Sequence, residues 1–390
     1  MRTFPKVFGA ESRLFILAVL AAQVIGGLVT QMSPLIIGGV IVGFNLSEQQ
    51  AGLIVFAEFF LLSATAIAVA PFLPRIRIRV ACAMAAGVAV LFQLISMFLT
   101  DYYLVAIVRC IAGVGVGFVY AASLAAIGAH SKNPDQVYGY VQVTWALLSV
   151  VLFSVGGHLT EQYNHQGIYA LILFLSFLLM PCLKFMPEKI AVTEDGIEKE
   201  NSGNVSNLWG CLTLMGIFMY LTASAAIYTF SAPLGERSGL TTSQIGYALT
   251  AGSGIGFTGA VAASWLNVKF GRATPITAFS LAFCIIALVL CLNTNPLIFV
   301  LALIFSVVFF YFSVPYLFGL AAALDVKGRW AAAAGSAYLL GFAAGPGLAG
   351  TSVEWVGYPG LGIVCVASGL MAWVLLISVV RQIGDQTSHK

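Results

Sequence analysis

The chain has 390 residues, of which 60% are hydrophobic and only 8% are charged. A soluble domain carries about 25% charged residues, so this chain could not cover a water-facing surface. The net charge of +3 comes from basic residues spread over short segments, which excludes the concentrated basic patch of a nucleic-acid-binding protein. We therefore expect an all-α protein embedded in a lipid bilayer.

Apolar runs recur along the whole chain, and each suits the roughly 20 residues that cross a hydrocarbon core of about 30 Å. A transmembrane β-barrel would instead alternate polar and apolar residues over segments of about ten residues. The sequence predicts twelve transmembrane helices, at residues 14–44, 50–73, 80–100, 102–128, 137–159, 167–186, 208–233, 243–265, 274–292, 296–323, 330–352 and 359–380.

Lysine and arginine are distributed unevenly between the two sides of these helices. When the N-terminus is placed in the cytoplasm, Arg237 alone falls in an external segment and Arg109 falls within a helix, while the other basic residues lie on the cytoplasmic side. Because cytoplasmic loops collect basic residues, we expect both termini in the cytoplasm and a multi-pass protein of the cytoplasmic (cell) membrane. The seven cysteines form no CxxC pair, so we expect no metal ligands, disulfides or cofactor.

A polar segment at residues 187–207, rich in Glu, Asn, Ser and Lys, divides the predicted helices into two sets of six. By composition it is a cytoplasmic linker, so the sequence predicts an N-terminal six-helix bundle at 1–186 and a C-terminal six-helix bundle at 208–390. The halves are similar at an offset close to 194 residues: NLSEQQAGL (45–53) corresponds to GLTTSQIGY (239–247), each with a helix-capping Ser or Thr and a Gln. Parallel six-helix repeats are a transporter architecture, with the binding site at their interface.

Three stretches of the chain resemble signatures of the major facilitator superfamily. YYLVAIVRCIAGVGVG (102–117) resembles its fourth-helix signature, VKFGR (268–272) the end of its loop signature, and GSAYLLGFAAGPGLAG (335–350) its glycine–proline helix. The resemblance covers essentially the whole chain and implies two six-helix bundles that rock about a central site. The fifth predicted helix lacks the Gly-Pro that marks many drug/proton antiporters of the family, which favours uptake.

Two ionisable residues lie deep inside predicted helices. Glu58 is eight residues beyond Gln50, where the second helix begins, and Arg109 is eight residues beyond Asp101, before the fourth. Both helices run inward, so at about 1.5 Å per residue the two groups lie about 12 Å below the outer surface. A carboxylate at this depth must be protonated, paired or in contact with water. We predict an ion pair in a wet pocket between the two bundles, with Glu58 as the protonation site; a structural brace is the alternative.

Polar and aromatic residues recur at three- and four-residue intervals on one face of the first, fifth and seventh predicted helices. Within a membrane such faces turn toward protein or water, so we expect them to line one cavity. In the tenth helix, rich in aromatic residues, we expect Phe309 and Phe310 to face lipid. The predicted substrate contacts are Gln23, Gln31, Gln142, Trp145, Tyr220, Tyr228, Tyr311 and Tyr316.

The sequence therefore predicts a secondary active transporter that moves a small organic solute by alternating access, coupled to protons through Glu58 and Arg109, and working as a monomer. One arginine among Gln, Tyr and Trp suits a monocarboxylate or a neutral aromatic compound better than a phosphate ester. A proton-driven multidrug or metabolite efflux pump is an alternative, and a non-transporting membrane sensor is an alternative of another class. We expect no enzyme, because the predicted helices contain no Asp and no HExxH-type motif.

Overall fold

The computed structural model describes residues 12–131, 133–190, 207–266, 269–324 and 329–388, and none of these residues forms a β-strand. Most of the predicted linker lies outside the described residues. The helices are α1 (Arg13–Gln31), α2 (Ser33–Phe44), α3 (Glu48–Val69), α4 (Ile78–Ser96), α5 (Tyr102–His130), α6 (Pro134–Leu179), α7 (Asn207–Thr229), α8 (Ser231–Arg237), α9 (Thr242–Leu266), α10 (Ala273–Leu292), α11 (Pro296–Ala322) and α12 (Arg329–Ser388).

Nine helical segments of the described chain are long and apolar enough to cross a membrane. Two of them, within α6 and α12, contain a residue with left-handed backbone, Asn164 (φ 51°) and Gly357 (φ 71°), and each forms two passes about that point. The 25-residue α9 adds another pass, although its Ser, Thr and Gly residues make it less apolar. Because α2 and α8 continue α1 and α7, the described helices agree with the twelve predicted spans.

The internal repeat is visible in the way corresponding helices begin. At the start of α3, the Gln50 backbone N–H donates to the Ser47 hydroxyl, and the Ser47 backbone N–H donates to the Gln50 side-chain oxygen at 3.1 Å. At the start of α9, Thr241 and Gln244 make the same reciprocal pair of hydrogen bonds. Such a capping box satisfies two backbone donors that a helix start leaves unpaired. The two boxes are 194 residues apart, as the sequence offset predicts.

The turns before these helices repeat as well. Asn45 (φ 52°) and Gly239 (φ 82°) are both left-handed, and both lie two residues before the capping residue. Further along, Asp101 caps α5 and Asn295 caps α11 through side-chain oxygens. Residues that correspond across the offset therefore build the same local structure in both halves.

Two seams join the halves, with α3 against α12 and α6 against α9. We call the end that holds Arg13 and Pro134, predicted to be cytoplasmic, the inner end. At the opposite, outer end both seams are closed by glycines. A Cβ on Gly157 of α6 would lie 3.2 Å from the Gly246 Cα of α9. The seam between α3 and α12 is equally tight at Gly52 and Gly350.

Candidate functional site

A cavity of about 470 Å³ lies between the two halves, and residues of both halves line it. Its walls come from α1, α3, α5, α6 and α7 and from α9 to α12. The lining reaches Tyr138, one turn into α6 from the inner end, and Tyr338, two turns into α12. The continuations of α1 and α7 toward the outer end, α2 and α8, contribute no lining residue. The cavity is therefore closed toward the outer end and extends toward the inner end.

Seven of the eight predicted substrate contacts line this cavity: Gln23, Gln31, Gln142, Trp145, Tyr220, Tyr228 and Tyr311. Tyr316 does not. It is buried, and its hydroxyl lies 3.5 Å from the Ala263 carbonyl oxygen of α9. The preceding residue, Pro315, lines the cavity instead. Successive residues of a helix point about 100° apart, so Tyr316 turns toward α9. Our expectation that Tyr316 faces the cavity is wrong.

Phe309 and Phe310 also correct the sequence analysis, because both line the cavity rather than face lipid. They precede Tyr311 on α11, and their rings form edge-on contacts with Phe312 and Tyr311. The spacing of aromatic residues could not distinguish a lipid-facing ring from a cavity-facing one, since both environments accept apolar surface. The tenth pass therefore gives the cavity a broader aromatic wall than expected.

The polar groups of the cavity are amides and hydroxyls held by neighbouring helices. The Gln23 amide nitrogen donates to the Ser123 hydroxyl at 2.8 Å, and the Gln31 amide nitrogen donates to the Ser149 hydroxyl at 2.9 Å. These bonds fix both amide orientations. On the opposite side, the Tyr228 hydroxyl donates to the Gln31 backbone oxygen at 2.7 Å and links the two halves.

The predicted pairing of Glu58 and Arg109 is confirmed. Arg109 Nε donates to Glu58 Oε2 at 2.9 Å, and its terminal nitrogen contacts Glu58 Oε1 in a two-point ion pair. The side chains are 1% and 0% exposed. Such a fork requires an ionised carboxylate, since a protonated one loses an acceptor site.

Three residues that the sequence analysis did not single out surround the arginine. Its other terminal nitrogen donates to the Gln93 amide oxygen at 2.6 Å and lies 3.4 Å from the Ser96 hydroxyl. The guanidinium also lies over the Tyr169 ring, 4.7 Å from its centroid. The signal available was Gln93 itself, an isolated amide in the apolar run of α4 at the depth of the pair. We call these five residues the polar cluster.

The polar cluster does not line the cavity, which contradicts our expectation that the ion pair lies in a wet pocket between the two bundles. Its members belong to α3, α4, α5 and α6, all in the N-terminal half. Depth can be read from residue counts, but the direction in which a side chain leaves the helix depends on packing. Glu58 shares α3 with Phe59, Leu62 and Ser63, which do line the cavity, but its own side chain turns toward Arg109 of α5.

A second polar group closes the outer end between the halves. His158 of α6 lies with Nε2 2.6 Å from the Tyr247 hydroxyl and Nδ1 2.8 Å from the Ser243 hydroxyl, both on α9. The Ser243 backbone N–H donates to the Glu161 carboxylate at 2.8 Å. We call these four residues the outer latch.

Among the described residues, no group of three or more His, Cys, Asp and Glu could hold a metal ion. Sequence comparison with curated proteins finds no match. Solved structures with the same fold include a bacterial homologue of the human lysosomal transporter Spinster, inward-facing and unoccupied. It is 14% identical, covers 96% of this chain and 99% of its own, and has a TM-score of 0.72.

Two further solved structures share the fold. A D-xylose–proton symporter is 16% identical over 93% of this chain and 98% of its own, with a TM-score of 0.68. The nucleoside transporter NupG is 13% identical over 94% and 98%, with a TM-score of 0.69. The family model of the Major Facilitator Superfamily matches residues 14–326, most of the chain. The fold, the cavity and the family model agree. The chain belongs to the Major Facilitator Superfamily and is a transporter rather than an enzyme.

Proposed function

We propose that this transporter moves a small organic solute across the cytoplasmic membrane by alternating access, as a monomer, coupled to protons at Glu58. The two bundles, at residues 1–186 and 208–390, rock about the cavity and open it to each side in turn. The conformation described above, sealed at the outer latch, corresponds to the inward-open half of the cycle.

The observation that carries the proposal is the two-point ion pair enclosed in a membrane-spanning bundle. An isolated carboxylate in this setting costs several kcal/mol, so chains keep such groups where their charge is used. Protonation of Glu58 removes one acceptor and converts the pair into a neutral acid beside a cation. The Gln93 amide oxygen, the Ser96 hydroxyl and the Tyr169 ring then continue to stabilise the Arg109 charge. The cluster therefore accommodates both protonation states.

Coupling to the substrate runs through α3. This helix directs Glu58 toward Arg109 of α5, lines the cavity with neighbouring residues, and packs against α12 along the seam. The Ser63 hydroxyl donates to the Leu339 carbonyl oxygen of α12 at 3.1 Å, just over one turn beyond the carboxylate. A shift of α3 that follows loss of the ion pair changes this seam. The same helix, α3, then responds to proton binding and moves when the bundles rock.

Uptake is the favoured direction, and efflux of drugs or metabolites by the same proton-driven cycle is the second candidate. The broad aromatic lining of the cavity suits either direction. Reconstituted proteoliposomes, tested with a mixed metabolite and drug panel, distinguish these functions. We expect solute flux that accelerates when a pH gradient is imposed. A protein that binds solutes without moving any would be the membrane sensor instead.

A further inference from the structure

We infer that the cavity takes an uncharged, planar aromatic compound that carries N–H or O–H donors; this rests on the proposed function only in treating the cavity as the substrate site. The first observation is the absence of charge. None of the described residues that line the cavity is Asp, Glu, Lys, Arg or His. Arg109, which the sequence analysis considered as a receptor for a carboxylate, is enclosed in the polar cluster instead.

An ion that entered this cavity would lose hydration without gaining a charged partner. The penalty for burying a charge is offset only by a counter-charge and a full set of hydrogen bonds. The amides and hydroxyls of the lining can hydrogen-bond a polar group, but they cannot neutralise a charge. The cavity therefore rejects monocarboxylates. Of the two substrate classes that the sequence suggested, monocarboxylates and neutral aromatic compounds, only the second fits.

The second observation is the aromatic surface on both sides of the cavity. On α12, the rings of Tyr338 and Phe342 are nearly parallel, with an interplanar angle of 12°, and Tyr228 of α7 lies 6.3 Å from Phe342. In the N-terminal half, the Trp145 ring packs against Gly27, where any Cβ would collide with it. Aromatic rings bind flat partners by offset stacking or edge contacts. A planar solute can contact such surfaces in both halves at once.

The third observation is the direction of the hydrogen bonds already made. Gln23 and Gln31 each donate from the amide nitrogen to a serine of a neighbouring helix. This leaves their amide oxygens, which have no donor in the described part of the chain, as acceptors at the cavity. A substrate that carries N–H or O–H groups supplies the missing donors, and a solute without donors leaves them unpaired, which costs affinity.

Binding of three isosteric probes tests this assignment: 2-naphthamide (neutral), 2-naphthoate (anion) and 2-naphthamidinium (cation). Full-length protein in lipid nanodiscs is titrated by calorimetry at pH 8, with empty nanodiscs as the blank for partitioning into lipid. We expect the amide to bind at least about tenfold more tightly than either ion, because neither ion finds a partner charge. No binding of the amide, or equal or tighter binding of an ion, overturns the inference.

A matched pair of variants tests whether the cavity is the site that selects between neutral and charged probes. Gln142 lies at the cavity with an exposed side chain, so Gln142→Glu introduces one carboxylate there. Gln162→Glu makes the same change on an exposed residue of α6 beside the turn at Asn164, at the outer end of the molecule. We expect Gln142→Glu to raise the affinity of the cationic probe by about tenfold relative to the amide, and Gln162→Glu to leave the ratio unchanged. Identical ratios in both variants would place the probe outside the cavity.

These measurements do not depend on transport. A protein that selects the neutral probe but shows no flux in proteoliposomes contradicts the proposed function and supports the cavity assignment. Proton-driven flux of a charged solute, with no preference among the probes, supports the proposed function and contradicts this inference.

Discussion

Helices α3 and α5 in the N-terminal half pack against each other, and so do the corresponding helices α9 and α11, but the residues at the two contacts differ. At the repeat offset, Glu58 corresponds to Gly252 and Arg109 to Leu303. Leu303 is fully buried, and Gly252 lets α9 approach Val307 of α11 closely. At these two positions the C-terminal pair is therefore held by packing rather than by charge.

The rest of the polar cluster is also replaced in the second half. Gln93 corresponds to Ala287, Ser96 to Leu290 and, counted from the matching breaks in α6 and α12, Tyr169 to Gly362. The repeat keeps the backbone arrangement without any of these polar groups. A fold that is complete without an ion pair in one half does not need it in the other, so the comparison favours a functional role over a structural brace.

Both pairs nevertheless need glycine where their backbones meet. In the first half the glycine is on α5, where a Cβ on Gly113 would collide with the Glu58 carbonyl oxygen. In the second half it is on α9, where a Cβ on Gly259 would collide with the Val308 carbonyl oxygen. Both helix pairs keep this close approach of their backbones, although the glycine lies on α5 in the first half and on α9 in the second. The first half differs in charge rather than in packing.

Arg109→Ala should have the largest effect on stability. It leaves Glu58 without its counter-charge inside the bundle, at a cost of about 3–5 kcal/mol. The double variant Glu58→Ala/Arg109→Leu gives the site the apolar character of the second half, and we expect it to unfold close to the wild-type midpoint. Denaturant unfolding in detergent measures both. A double variant as unstable as the single one would make the cluster an architectural requirement and would remove the contrast between the halves.

Adding a methyl group at the close contacts should be the next largest change. Gly113→Ala and Gly259→Ala each force two backbones apart, which we expect to cost about 1–3 kcal/mol. Gly128 on α5 and Gly254 on α9 have open space where a Cβ would go. Alanine at these two positions should be neutral or add up to about 1 kcal/mol through helix propensity.

The same unfolding assay compares the four glycine variants. Equal losses of unfolding free energy for Gly113→Ala and Gly259→Ala would support the same close backbone packing in both halves. A loss in one half only would show that the repeats are held together differently.

His158→Ala should have a smaller effect, on conformation rather than folding. It removes two hydrogen bonds of the outer latch, together worth about 1–3 kcal/mol. We expect a larger population of molecules that are open at the outer end, detected as longer distances between spin labels beside the Asn164 turn of α6 and at the start of α9. Tyr163→Phe, which removes an exposed hydroxyl at the same end, is the control. Unchanged distances in the histidine variant would mean that the glycine contacts alone close this end.

The sequence was sufficient for the repeated helix starts and for the pairing of Glu58 with Arg109, and its twelve spans agree with the described helices, because each depends on residue counts along single helices. It was insufficient for the position of the pair relative to the cavity. Whether Glu58 faces α5 or the cavity depends on how α3 is rotated against its neighbours. Tyr316, Phe309 and Phe310 were misplaced for the same reason, since a helical period shows that a face exists and not which partner it meets.

The polar cluster shows a further limit of sequence reasoning. Gln93, Ser96 and Tyr169 come from two helices that neither ionisable residue occupies, so no local spacing connects them to the pair. An isolated glutamine in an apolar run was the one available signal. Buried polar side chains require hydrogen-bond partners, which makes such a residue worth matching by depth to other polar residues.

Glu58→Gln tests the central claim most directly, and it should change stability least, because the amide keeps the shape of the carboxylate and one acceptor for Arg109. Solute flux in proteoliposomes is measured with and without an imposed pH gradient. We expect a folded protein that still exchanges solute down its concentration gradient and no longer responds to the pH gradient. Flux that accelerates with the pH gradient as in the wild type would contradict Glu58 as the coupling site.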